Sequence, residues 1–205
     1  MSFYKELNFS YSIANDRLLD RINILKVKDG FYTTILTKPQ EYLHPELLDI
    51  FGSIGIQPQF ITIFGFPNSS VGTSSLHTDI IYKNNNWTKI PGGINWELTP
   101  GEATWRWYDS NDQPELYPET PQEDGTIPFN GIHHNIRRNQ DSSGFTLLET
   151  YQTTFNKPVL FRTDIPHQIS YSTTSRQRVS MSIKFSTDDI ATWDQAVEIF
   201  KPFFK

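Results

Sequence analysis

The 205-residue sequence predicts a mainly β fold with flanking helices, an antiparallel sandwich or barrel, and three observations carry that expectation. From residue 59 onward, short β-branched and aromatic runs recur between clusters of turn residues. Aromatic side chains make up 14% of the chain, fifteen Phe and five Trp among them, which suits a β-rich core or an aromatic-lined pocket. No repeat, low-complexity tract or Gly/Ser-rich linker divides the chain, so one domain over 1–205 is expected, long enough to bury most of its apolar surface without cross-links.

Residues 1–58 read as helical and extended support for the β body. A weak helical pattern covers about 13–23. A clearer one has Pro45 near its first position, Glu46 in its first turn, a stripe of Leu47, Leu48 and Phe51, and Gly52 as its stop. The triplet His44-Pro45-Glu46 is thereby explained as helix-start chemistry. The β body, 59–186, contains eight expected strands, at 60–66, 74–80, 93–99, 103–109, 145–153, 158–164, 167–172 and 178–185. Between the fourth and fifth lies a polar insertion, 110–144, rich in Pro, Asp and Asn, and a loop of that length in a compact domain is disordered or functional. Residues 187–205 supply a last helix, with Ser186 or Thr187 to cap it, Asp188 and Asp189 at its positive end, and Ile190, Trp193, Val197 and Phe200 at helical spacing. That spacing packs one face on a sheet.

Composition excludes several chemistries. With no cysteine, there are no disulfides, thiolate metal sites or cysteine nucleophiles, and any metal is held by nitrogen and oxygen. A net charge of −5 disfavours nucleic-acid binding, although His133, His134, Arg137 and Arg138 form a local basic cluster within the insertion. The N-terminal residues lack a signal-peptide pattern and no apolar run reaches membrane-spanning length, so a soluble cytoplasmic protein with no membrane partner is expected. The oligomeric state is open.

Chemistry concentrates in three strands. The second ends in His77-Thr78-Asp79, whose period of two puts the imidazole and the carboxylate on one face. The seventh opens on His167, directly after Pro166. In the eighth, Arg178, Ser180 and Ser182 alternate with Val179, Met181, Ile183 and Phe185, so the apolar set lies under the helices and the polar set faces the interior. A buried arginine requires an anion, either an internal carboxylate such as Asp79, Asp164 or Glu149, or a bound acidic ligand.

The order His-x-Asp, distal His, inward Arg-x-Ser resembles the iron(II)- and 2-oxoglutarate-dependent oxygenases, over about residues 59–186. The resemblance implies a double-stranded β-helix (jelly roll) with N-terminal helices and a C-terminal helix packed on the sheet. It implies that His77, Asp79 and His167 hold Fe(II) and form the catalytic centre. It also implies that Arg178 and Ser180 bind the distal carboxylate of 2-oxoglutarate, with Arg176 as the competing anchor. Dioxygen would be the second co-substrate and ascorbate the reductant, and the products would be succinate, CO2 and a hydroxylated small molecule or peptide. Asn95, Tyr82 and Trp107 lie where they could line the pocket, Asn95 being the best placed, and the insertion is expected to act as a substrate lid. Two other classes fit a jelly roll: a cupin-like metalloprotein that does not use 2-oxoglutarate, and a ligand-binding or structural module.

Overall fold

The computed structural model describes residues 2–9, 16–25, 32–66, 71–74, 76–83, 86–110, 130–134, 145–172 and 178–205. Along the chain run β1 (Tyr4–Glu6), α1 (Asp16–Leu25), β2 (Tyr32–Leu36), α2 (Pro45–Ser53), β3 (Pro58–Phe66), β4 (Val71–Thr73), β5 (Leu76–Lys83), β6 (Asn86–Lys89), β7 (Gly92–Glu97) and β8 (Glu102–Ser110). They are followed by β9 (Asn130–His134), β10 (Phe145–Gln152), β11 (Pro158–Arg162), β12 (His167–Ser172), β13 (Arg178–Phe185) and α3 (Trp193–Phe200). The fold is mainly β, and all eight expected strands are present, as β3, β5, β7, β8, β10, β11, β12 and β13.

They form two antiparallel sheets. The first has the order β1-β11-β7-β13-β3-β2, and the second β10-β8-β12-β5-β6, with β4 alongside β12 and β9 alongside β5. Counted as the eight expected strands, the first, third, sixth and eighth lie in one sheet and the second, fourth, fifth and seventh in the other. The chain therefore crosses repeatedly between sheets, which brings residues distant in sequence onto facing surfaces.

β13 is central to the first sheet and buried along its whole length. Its Val179, Met181, Ile183 and Phe185 pack in one core with Leu18 of α1, Phe51 of α2 and Trp193 and Phe200 of α3. This is the helix-covered face that the alternation predicts. A second, aromatic cluster joins Trp107 and Tyr151 of the second sheet to Val159 and Phe161 of the first, filling the space between them. Among the described residues, no helix is long and apolar enough to cross a membrane.

The helices depart from expectation in detail. At α2, Pro45 takes the first position and the His44 imidazole accepts a bond from the Glu46 N–H at 3.4 Å. The helix passes Gly52 and ends at Ser53, and the left-handed position falls on Gly55 (φ 74°). At α3 the expected caps are spent elsewhere: the Ser186 hydroxyl accepts from the Asp188 N–H at 3.2 Å and its carbonyl accepts from Ile190, closing a separate turn. The helix starts only at Trp193, where the Thr192 hydroxyl accepts from the Gln195 N–H at 3.2 Å.

Within the insertion, Asn130–His134 is a strand that pairs with β5, placing His133 opposite His77 and Gly131 opposite Asp79. Residues 111–129 and 135–144, with Arg137 and Arg138, lie outside the described residues, as does Arg176.

Candidate metal centre

His77 and Asp79 project from one face of β5 because they are two residues apart on a strand. His167, the first residue of β12, is paired in register with His77. Cross-strand partners sit about 5 Å apart, so the two imidazoles meet, with ring centroids 4.4 Å apart. Asp79 Oδ1 is 3.5 Å from His77 Nε2 and 3.7 Å from His167 Nε2. The three candidate ligand atoms lie within 4.8 Å of one another, and the group could hold a metal ion. Asp79 and His167 are buried and His77 is partly exposed.

The surroundings hold His167 and Asp79 in their ligating forms. His167 Nδ1 is 3.0 Å from the Ile165 carbonyl, the bond that places the ring proton on Nδ1 and leaves Nε2 to ligate. Burial, helped by the neighbouring His77, lowers the His167 pKa to about 3, so the ring is neutral at physiological pH. Burial acts to raise the pKa of Asp79, but Lys184, His167 and His77 outweigh it, and the net shift is downward. The carboxylate stays ionised.

Lys184 was not among the expected site residues. It is buried on β13, and its Nζ lies 2.6 Å from Asp79 Oδ2. The parity that turns Arg178, Ser180 and Ser182 inward applies equally to Lys184. Opposite it on β7 stands Gly93, where an added Cβ would lie 2.8 Å from Lys184 Cδ and 3.1 Å from Nζ. The Ile183 carbonyl oxygen is nearer still, at 2.7 Å, so the close backbone approach itself calls for glycine, which also leaves room for the Lys184 side chain.

Arg178 is fully buried and meets an internal carboxylate, but none of the three expected. Its partner is Glu97 of β7, bonded through Nη2. Asp79 is taken by Lys184, Asp164 by Arg162, and Glu149 by Ser2 and the Phe3 N–H. Burial raises the pKa of Glu97 against the opposing pull of Arg178. The guanidinium also lies 4.7 Å from the Phe66 ring centroid, while its Nε and Nη1 have no hydrogen-bond partner among the described residues.

Between the two ion pairs runs a polar row. Ser182 pairs with Thr62 of β3 on one side and with Asn95 of β7 on the other, and Thr62 Oγ1, Ser182 Oγ and Asn95 Oδ1 are buried without hydrogen-bond partners among the described residues. Ser180, opposite Glu97, completes the face. Trp105 stacks on His167 with centroids 5.5 Å apart and planes 17° apart, while the Trp107 indole donates to the Arg162 carbonyl at 2.8 Å and serves packing. The side chains of Tyr82, His133 and His134 lie outside the described residues.

No protein-family model matches the chain, and no curated protein matches it. The case for function rests on the site itself.

Proposed function

We propose that the chain is an Fe(II)- and 2-oxoglutarate-dependent oxygenase on a double-stranded β-helix, acting on a small molecule or a peptide side chain. The observation that carries this reading is the cluster of two imidazoles and one carboxylate, facing the interior of a two-sheet β structure. Two nitrogens and one oxygen suit a divalent transition metal and leave adjacent positions for other ligands. The orphaned donors on the same face fit an oxo diacid: Arg178 Nε and Nη1 present N–H groups, and the Thr62 and Ser182 hydroxyls lie between them and the triad. The alternation of the eight strands between the two sheets supports the double-stranded β-helix.

In this reading His77, Asp79 and His167 hold the metal, and the Ile165 carbonyl fixes the His167 ring. Arg178 and Ser180 receive the distal carboxylate of the oxo acid, with Glu97 holding the third side of the guanidinium. Trp105 and Phe161 keep water from the His167 side of the centre. Iron, dioxygen and the oxo acid, when bound, supply oxidative decarboxylation to succinate and CO2 coupled to hydroxylation of a C–H bond.

The test is anaerobic titration of 2-oxoglutarate into the Fe(II)-loaded protein, followed by the metal-to-ligand absorption band, and then aerobic succinate production with ascorbate present. The expected result is a band and turnover in the wild type, both lost in His167→Ala. The Arg178–Glu97 pair favours a second reading, a cupin-like metalloprotein that needs no oxo acid, because that arginine already has its anion. Tight Fe(II) binding with neither band nor succinate would select it.

A further inference from the structure

We propose that Lys184 is a positioning residue that restricts Asp79 to a single metal-ligating oxygen. The inference rests on reading His77, Asp79 and His167 as a metal centre, and it concerns how many positions that centre leaves open.

Asp79 is nearly fully buried, and its two oxygens face different neighbours. Oδ1 faces both imidazole Nε2 atoms, at 3.5 and 3.7 Å, whereas Oδ2 bonds the Lys184 ammonium at 2.6 Å. A buried carboxylate oxygen without a partner is costly, so with the ammonium removed Oδ2 turns to the nearest cation. In the loaded protein that cation is the metal. Two-oxygen ligation by Asp79 then raises the protein's ligand atoms from three to four, leaving two of six positions, enough for a chelating ligand but none beside it. Gly93 fits the placement of the ammonium, since a Cβ opposite Lys184 would strike Lys184 Cδ and Nζ as well as the nearer Ile183 carbonyl oxygen. A buried ion pair adds little net stability, which makes packing alone a weak reason for an interior lysine there.

The charges agree. Without metal, Asp79 with Lys184 and Glu97 with Arg178 cancel. A divalent cation adds +2 with both pairs intact, which favours a dianionic chelator over a neutral one.

The experiment uses the full chain loaded with Co(II), with Asp carboxyls labelled with carbon-13, and compares the wild type with Lys184→Met. Infrared difference spectra, metal-loaded minus metal-free, report the separation of the antisymmetric and symmetric carboxylate stretches, wide for one-oxygen and narrow for two-oxygen ligation. Azide titration of the oxalate-loaded Co(II) protein reports whether a third position stays open beside the chelator. The expected result is a wide separation in the wild type and a narrow one in Lys184→Met. The variant should keep Co(II) affinity within about threefold of the wild type, or exceed it, while azide affinity for the oxalate-loaded protein falls at least about tenfold, equivalent to roughly 1.4 kcal/mol. A purely structural lysine would lower both affinities together and leave the separation wide, and that outcome overturns the proposal. If Lys184→Met does not fold, the wild-type spectrum decides, since a narrow separation there overturns the proposal and a wide one supports it. Failure of the wild type to bind Co(II) removes the metal centre itself, a result distinct from either.

Discussion

Asp79, Lys184, Glu97 and Arg178 are ionic side chains buried in the interior, and each is held by its opposite number. Breaking one half of such a pair strands a charge, so Arg178→Met should destabilise the fold by about 3–5 kcal/mol, whereas Arg178→Met with Glu97→Met should recover most of that loss in urea melts. An unchanged deficit in the double variant would mean that the arginine's packing over Phe66, and not its charge, carries the effect. His167 gives a pH signature. Between pH 6.5 and about 3 the unfolded chain binds a proton at this ring that the folded chain refuses. The metal-free protein should therefore lose stability as pH falls through that window, by of order 1 kcal/mol per pH unit, and His167→Gln should flatten the profile. The triad and Arg178 were legible in the sequence because their spacing and parity are local properties. Glu97 and Lys184 were not, although Lys184 shares the parity of Ser182, because residue type argues against burying a lysine until its partner on another strand is known.

At the scale of elements, the eight strands were legible because β-branched and aromatic runs recur between turn residues, and in 93–99, 103–109, 167–172 and 178–185 apolar and polar residues alternate over five or more positions. The short strands carry too few residues for a period to show. β9 is the consequential one, since "NGIHH" has no alternation and looks like the loop around it, yet its backbone pairs with the half of β5 that bears His77 and Asp79. The insertion is thus partly structural. Shortening 112–128 while keeping Asn130–His134 should leave Co(II) affinity within about threefold, because the pairing of β5 is untouched. Removing Asn130–His134 as well should lower it at least about tenfold, since the outer edge of β5 loses its ladder. Equal Co(II) affinity in both deletions, read by titration of the visible bands, would show that β9 does not hold the ligands in place. The late start of α3 has a different origin: Ser186 and Asp188 form a cap-like turn that competes for the same signal, and only the chain geometry chooses Thr192.

Over the whole molecule, the first sheet lies between two unlike surroundings, an apolar helix-covered face and an inner face bearing Thr62, Asn95, Ser180 and Ser182. That inner face has a consequence for how the sequence responds to selection. Each orphaned hydroxyl costs roughly 1–3 kcal/mol relative to a satisfied or apolar group. Thr62→Val and Ser182→Ala should each stabilise the protein, and at about 2–4 °C per kcal/mol for a chain of this size the pair should raise Tm by several degrees. The same pair should weaken 2-oxoglutarate binding to the Fe(II) protein several-fold. A variant library screened for heat resistance alone would accordingly drift toward aliphatic residues at positions 62 and 182 and lose ligand affinity as it did so, whereas a library screened for ligand binding would keep both hydroxyls and remain heat-sensitive. Sequencing the survivors of the two screens would read, from outside the molecule, which of its buried polar atoms are kept for use and not for folding.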